Sequence, residues 1–368
     1  AGAGVRELGD ALRACCRSRR TPSRRSAAVA SGMAAVAAAG LVECRLESAH
    51  NLAALLNALQ LREKDQKDQK VHCEASDRGL KFVAQSGGKD AAVLGWMFQR
   101  DFEQYSFAGE AEELHLRLPV APLLSCLQVL SDRSSLALRY PSGGVASDEL
   151  SLTLEEEGAV TECLLRTLVL EEAPAPIGSF FAPGDPLTVF RPRQAEAWHL
   201  ALNEFVELDG PDVKLRLTLR AAEEPGAAAI VLRAQTLTSD VEVELPREAF
   251  EALELSPEAQ AVGQISHSYL LSSVLSSCLR AAKDAKAVKV RFNRQGVMSN
   301  QFILRGRGQR DLFCEALVSP LAEAGVWAGG RLSGGSMAME EEYGAGPYGG
   351  AGVLDTHGRV AVGESVGF

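Results

Sequence analysis

The stretch Ala49–Arg62 (AHNLAALLNALQLR) is the most informative part of the sequence for the fold. Beginning with Leu52, leucines occupy positions i, i+3, i+4 and i+7, which places one apolar stripe on a helix. The preceding residues, Leu41–Ser48 (LVECRLES), alternate apolar and polar side chains as a half-buried strand does. Strand patterns at Val71–Ser76 and Leu80–Gln85 follow, joined by a tight turn. The segment therefore predicts a helix packed on antiparallel sheet.

The same order of elements occurs twice along the chain. A second helix pattern lies at Val120–Ser131, and the corresponding pair lies at Arg193–Phe205 and Leu270–Lys283. The first helices of the two copies start 144 residues apart, at 49 and 193, and the second helices 150 residues apart, at 120 and 270. Such spacing predicts two similar domains. Because two helices cannot cover both faces of so many strands, we expect each domain to carry both helices on one side of antiparallel sheet, an α+β fold.

Composition divides the chain into five segments. Residues 1–40 form an Arg-rich leader, which fits a transit peptide or secretory signal but is best interpreted as disordered or as a gene-model artefact upstream of Met33. The first domain is predicted at 41–170 and the second at 187–322. Between them, residues 171–186 form a connector rich in proline and glycine. Residues 323–368 form a Gly-rich tail, which we expect to be disordered.

Overall composition excludes several classes of protein. The chain has 368 residues, 46% of them hydrophobic and 23% charged, and a formal net charge of −10. A uniformly basic nucleic-acid binder is excluded, so any DNA contact needs basic residues gathered on one face. The eight cysteines include no CxxC pair, which favours buried reduced thiols; we expect no metal site and no cofactor. No run of about 18 strongly apolar residues occurs, so no membrane span is expected.

Several stretches, taken in their order along the chain, resemble one protein family. They are Asn51–Glu63 (NLAALLNALQLRE), Gly79–Gln85 (GLKFVAQ), Met97–Phe107 (MFQRDFEQYSF), Leu116–Leu130 (LRLPVAPLLSCLQVL), Leu154–Cys163 (LEEEGAVTEC) and Ser266–Leu304. The chain resembles, over about residues 41–322, the RAD-one family of the nine-one-one DNA-damage checkpoint clamp, within the proliferating-cell-nuclear-antigen fold. The resemblance implies the DNA-clamp fold and a nuclear ring of this chain with two other clamp subunits. Such a ring encloses double-stranded DNA without sequence preference and is placed there by an ATP-driven clamp loader.

The resemblance also implies which residues meet DNA. In that fold the helices line the hole, so the helix faces opposite the apolar stripes approach the phosphates. On Leu270–Lys283 the serines are predicted to share this outer face with the basic residues. The DNA-facing candidates are Arg62, Gln128, Arg191, Arg193, His199, Arg280 and Lys283. The alternative is that they are ordinary solvated side chains.

Two further surfaces follow from the resemblance. Exposed strand edges should pair with the neighbouring subunits, and the candidates are Val160–Leu170 and Asp240–Leu245. Client proteins should dock in an apolar groove beside the connector and the last strand. The residues matching that groove are Leu168, Leu170, Ile177, Leu317, Val318 and Pro320. The alternative is that these residues belong to the core.

Two other functions compete with the checkpoint clamp. One is a homotrimeric replication clamp of the same fold, which the sequence distinguishes only weakly. The other is a metal-dependent 3′–5′ exonuclease, which needs several carboxylates converging on one pocket. Asp101 and Glu103 are the only suggestive pair, and no His-bearing acidic motif accompanies them. We therefore assign no catalytic residue and expect a protein that is not an enzyme.

Overall fold

The computed structural model describes residues 41–61, 69–108, 112–142, 147–169, 180–181, 184–208, 210, 212–221 and 228–321, and the backbone of a two-residue strand at Arg17–Ser18. The rest of the predicted leader, most of the connector and the tail lie outside these residues. The domain boundaries placed in those segments remain predictions.

Five helices and nineteen strands are present in the described residues. The helices are α1 (Ala49–Ala58), α2 (Val120–Leu127), α3 (Ala195–Asn203), α4 (Pro257–Val262) and α5 (Leu271–Asp284). The strands are β1 (Arg17–Ser18), β2 (Leu41–Leu46), β3 (Lys70–Ser76), β4 (Gly79–Gln85), β5 (Ala91–Phe98), β6 (Gln104–Ala108), β7 (Glu113–Pro119), β8 (Ser135–Tyr140), β9 (Glu149–Glu156), β10 (Ala159–Arg166), β11 (Thr188–Pro192), β12 (Lys214–Arg220), β13 (Ala228–Gln235), β14 (Asp240–Pro246), β15 (Phe250–Glu254), β16 (Gln264–Leu270), β17 (Ala285–Phe292), β18 (Met298–Arg305) and β19 (Asp311–Val318).

The strands form three antiparallel sheets. A six-stranded sheet has the order β1-β10-β9-β8-β2-β6, and a four-stranded sheet has the order β14-β13-β12-β16. The largest sheet has nine strands in the order β15-β11-β17-β18-β19-β5-β4-β3-β7. Within it β19 pairs with β5, from Phe313 opposite Trp96 to Val318 opposite Ala91. One continuous sheet therefore crosses from the first half of the chain to the second.

Four of the helices pack side by side on this sheet. Helix α2 contacts α1, α1 contacts α5, and α5 contacts α3; we call this set, in the order α2-α1-α5-α3, the helix row. Close packing against the sheet is visible at Gly95, where an added Cβ would lie 2.9 Å from Leu55 Cδ1 of α1. The α+β prediction, with helices on one side of antiparallel sheet, is confirmed.

The prediction for the faces of α5 is wrong in part. Ser273, Ser276 and Ser277 were expected on the outer face, but all three are buried. Their burial follows from the position of α5 between α1 and α3, which covers both flanks of the helix. The hydroxyl groups of Ser276 and Ser277 donate to the backbone oxygen of Ser273, at 3.2 and 2.6 Å, so their burial leaves no unpaired donor.

Besides the short strand β1, two elements were not predicted from the sequence. Strand β15 is short and only Phe250 in it is buried, which gives no alternating pattern. Helix α4 buries only Ala259, so it has no apolar stripe. Its ends carry local signals instead: Ser256 accepts a hydrogen bond from the Ala259 N–H, and Gly263 ends the helix in the left-handed conformation at φ 81°.

No helix among the described residues combines the length and the apolar character needed to cross a bilayer.

Candidate functional site

The helix row carries almost no net charge. Helices α1 and α2 contain no charged side chain, α3 contains Glu196, and α5 contains Arg280, Lys283 and Asp284. The two basic and two acidic residues cancel, with histidine taken as neutral. Attraction between this surface and phosphates is therefore weak, and it depends on a few exposed cations.

Four of the predicted DNA-facing residues lie on or beside the helix row with exposed or half-buried side chains. Gln128 is exposed at the end of α2, and Lys283 is exposed in the last turn of α5. His199 is half-buried on α3. Arg193 is exposed just before α3, and its Nε donates to the Glu248 backbone oxygen at 2.9 Å.

The other three candidates are placed differently. Arg280 is half-buried and donates from Nη1 to Gln60 Oε1, so it connects α5 to the end of α1. Arg191 belongs to strand β11 rather than to a helix, and its Nη1 lies 3.8 Å from Glu251 Oε2. Arg62 lies outside the described residues. Arg193 precedes α3, whereas Lys283 lies on a helix of the helix row. Of the described candidates, Lys283 is therefore the exposed cation that belongs to one of these helices.

The two predicted edge strands lie at the ends of their sheets. Strand β14 pairs only with β13 among the described residues. Strand β10 pairs with β9 along its length, and on its other side only Thr161 and Glu162 pair with the short strand β1. Val160 and Leu164 are 38% and 47% exposed and share the outer face of β10. Apolar side chains on an otherwise open edge are typical of a surface that another chain covers.

A small apolar cluster lies on the face of the nine-stranded sheet opposite the helix row. Its buried members are Val83, Ala92, Leu94 and Leu317, with Trp96 and Phe181 packed against them; we call it the outer cluster. Phe181, at the end of the connector, also lies under the Arg291 guanidinium, 4.6 Å from ring centroid to Cζ. The outer cluster thus already holds one aromatic side chain from the connector.

The predicted groove residues do not share one surface. Leu317 belongs to the outer cluster, whereas Val318, its neighbour on β19, is buried in the main core on the other face of the sheet. Pro320 is half-buried beyond the end of β19. The half-buried Leu168 donates its N–H to the Arg117 oxygen at 2.8 Å. Leu170 and Ile177 lie outside the described residues.

Asp101 and Glu103 both have local structural partners. Asp101 Oδ2 accepts the Phe98 N–H at 2.7 Å, and Glu103 Oε2 lies 3.3 Å from Arg45 Nε. Neither belongs to a group of three or more metal-ligating side chains within the described part of the chain. Both carboxylates therefore make local structural contacts.

The structure brings together three residues that sequence reasoning missed. His72, Glu74 and His115 place their ligating atoms within 4.8 Å of one another on strands β3 and β7. The signal in the sequence was the pattern His-x-Glu within a strand, because alternate residues of a strand share a face. The partner His115 is 43 residues from His72 and only the strand pairing identifies it.

Comparison with known proteins agrees with this architecture. A family model described as "Repair protein Rad1/Rec1/Rad17" matches residues 41–304. Proliferating cellular nuclear antigen from Entamoeba histolytica superposes with a TM-score of 0.58 at 13% identity, covering 76% of this chain and 99% of that one. The PCNA2–PCNA3 complex from Sulfolobus tokodaii gives a TM-score of 0.56 at 14% identity, covering 76% of this chain and 100% of that chain. No curated protein sequence matches the chain significantly.

Proposed function

Because the chain belongs to the Rad1/Rec1/Rad17 family of repair proteins and has the fold of a sliding clamp, we propose that it is one subunit of a three-subunit ring around DNA. The other two subunits are different clamp proteins, and the ring supports checkpoint signalling and repair at damaged DNA in the nucleus. An ATP-driven loader opens the ring and closes it on duplex DNA. The family membership favours this function over a homotrimeric replication clamp.

The observation that carries the proposal is the helix row. Helices from both halves of the chain lie side by side on one continuous sheet, and they present a nearly neutral surface. A ring holds DNA by enclosing it, so it needs weak, sequence-independent attraction to phosphates. Strong basic contacts would slow movement along the duplex.

The edge strands β10 and β14 supply the joints of the proposed ring. Within the described part of the chain, β14 is unpaired along one side and β10 is paired on its outer side only at Thr161 and Glu162, so a neighbouring subunit can add a strand to each. On β10 the incoming strand replaces β1 at Thr161 and Glu162 and covers Val160 and Leu164. On β14 the exposed side chains include Glu242 and Glu244, which favours a basic strand on the partner.

Client proteins of the ring dock, in this proposal, at the outer cluster. Its apolar surface is bordered by the half-buried Trp96 and Phe181, and aromatic side chains are enriched where proteins bind one another. A client segment displaces Phe181 and takes its place against Leu317.

The experiment is co-purification of the tagged full chain from nuclei, with identification of bound proteins and measurement of native mass. We expect two further clamp subunits with the wild-type chain and with Val262→Glu, which changes an exposed valine at the end of helix α4, away from both joints. We expect Leu164→Glu to lose a subunit, because it places a charge in the joint. A self-made trimer of the isolated chain, or equal behaviour of the two variants, would contradict the proposal.

A further inference from the structure

Three side chains on the outer face of the nine-stranded sheet converge on one point. Glu74 of β3 lies directly opposite His115 of β7, and His72 lies two residues from Glu74 on the same face. His72 Nε2 is 3.2 Å from His115 Nδ1 and 3.9 Å from Glu74 Oε1. The three residues share this face of the sheet with the outer cluster, and His72 lies directly opposite Val83 of that cluster.

These separations match a tetrahedral metal site. With Zn–N bonds of about 2.0–2.1 Å, two imidazole nitrogens on one zinc ion lie about 3.3–3.4 Å apart. The two histidine nitrogens already stand at nearly this distance, and a small rotation brings the Glu74 oxygen into range. The same spacing suits an N–H···N hydrogen bond, so the pair holds either a proton or a metal ion between its nitrogens.

Charged side chains lie beside two of the three residues. Lys81 Nζ lies 2.6 Å from Glu74 Oε2, which fixes one carboxylate oxygen and leaves Oε1 towards the histidines. Glu113 Oε2 lies 3.8 Å from His115 Nε2, the nitrogen that is not needed as a ligand. A carboxylate beyond a metal-bound histidine orients the ring and strengthens it as a ligand.

The two histidines differ in exposure. His72 is only 7% exposed and is shielded from water. The His115 side chain is 40% exposed, so an ion has access from solvent.

We propose that His72, Glu74 and His115 form a binding site for a zinc ion, with water as the fourth ligand. Two imidazoles and one carboxylate suit zinc and similar transition ions better than magnesium or calcium, which prefer all-oxygen sites. The bound ion links β3 to β7, which is the last strand of its sheet. Because the unfolded chain lacks the site, zinc stabilises the folded protein.

The test is calorimetric titration of Zn²⁺ into the full chain after removal of bound metal. Cys15 and Cys16 are first replaced by serine, so that their thiols do not take up zinc. We expect one site, and we expect His115→Gln to weaken it by at least about tenfold. His50→Gln is the matched control, because His50 pairs with Asp132 elsewhere on the surface at 3.7 Å, and it should leave binding unchanged.

A second variant is expected to strengthen zinc binding. A misfolded protein would not bind zinc more tightly, so this result separates an effect on the site from an effect on folding. Lys81→Met removes a cation and frees the second oxygen of Glu74, so we expect tighter zinc binding and a larger rise in melting temperature on adding zinc. The proposal is overturned if the chain does not bind zinc. It is equally overturned if His115→Gln binds as the His50→Gln control does, or if Lys81→Met weakens the site.

Discussion

The Asp90 carboxylate accepts a hydrogen bond from the Ser273 hydroxyl, joining the turn before β5 to helix α5. The other carboxylate oxygen accepts from Ser86 Oγ at 2.6 Å. The backbone oxygen of Asp90 also accepts the Ser319 N–H at 2.8 Å. One residue of the first half thus contacts two segments of the second half, at the place where β5 and β19 pair.

This contact predicts a pH-dependent stability. Burial alone would raise the pKa of Asp90, but hydrogen bonds from Ser273 and Ser86 lower it below the ordinary value of 3.8. A depressed folded-state pKa stabilises the protein above the unfolded value of about 3.9 and ceases to do so as the pH falls through the folded value. In urea titrations we expect Asp90→Asn to lower the free energy of unfolding by about 1–2 kcal/mol at pH 7. The deficit should shrink as the pH approaches 3.

Asp212→Asn serves as the control for this experiment, because Asp212 is exposed in a loop. Its stability should follow the wild-type curve at every pH. If the free energies of unfolding of wild type and Asp90→Asn differ by the same amount at every pH, ionisation of the Asp90 carboxylate does not contribute to stability.

Gly95 is required by the close approach of α1. An added Cβ would lie 2.9 Å from Leu55 Cδ1 and 3.2 Å from Leu59 Cδ1, and both leucines are fully buried. We expect Gly95→Ala to lower the free energy of unfolding by about 1–3 kcal/mol through overpacking, measured by thermal or chemical denaturation. Gly87→Ala is the matched control, since an added Cβ there meets nothing within 4 Å.

A double variant tests the mechanism of the Gly95 effect. Leu55→Ala makes room for the new methyl group, so Leu55→Ala with Gly95→Ala should be less destabilised than the sum of the two single variants. Strict additivity would mean that Gly95 matters for another reason, such as backbone freedom.

Lys283 is expected to contribute to retention on DNA. It is the exposed cation in the last turn of α5. In the assembled ring, Lys283→Glu should shorten the lifetime on circular DNA and reduce the magnitude of the negative slope of log K against log[salt] by about 1. Arg220→Glu, at the end of β12, reverses an exposed charge outside the helix row and should have little effect. If both variants stay on DNA equally long, Lys283 does not contribute to DNA binding.

The thiols of the folded body are expected to be unreactive. Burial raises the pKa of Cys44 and of Cys278 to about 12, and it also raises the pKa of Cys73 and Cys314. Six of the eight cysteines are buried, and none of these six forms a disulfide. A thiol reagent at neutral pH should therefore label these six cysteines slowly in the folded protein and rapidly after unfolding. Rapid labelling of Cys44 in the native protein would contradict this burial.

The fold was predictable from the sequence because its main elements carry strong periodicity. The leucine stripe of α1 and the alternation in β8 and β19 each reflect burial of one face, and the repeat supplied the order of elements. Helix α4 and strand β15 could not be found in this way, because each buries a single residue. The burial of Ser273 depends on the neighbouring helices, which no local pattern in α5 encodes.

The candidate surfaces were less predictable for the same reason. The sequence predicted Arg280 as a cation facing DNA. Only the folded structure shows that its guanidinium donates a hydrogen bond to Gln60. Adjacent residues of a strand lie on opposite faces, so Leu317 and Val318 could not both line one groove. The convergence of His72 and His115 depends on the register between β3 and β7, which is a property of the whole sheet.

The pairing of β5 with β19 has a mechanical consequence. The two halves cannot swing apart unless this ladder of backbone hydrogen bonds breaks, together with the contacts of Asp90. In the proposed ring, any bending needed to admit DNA then falls at the joints between chains, and a loader acts on those joints while this protein moves as one rigid body.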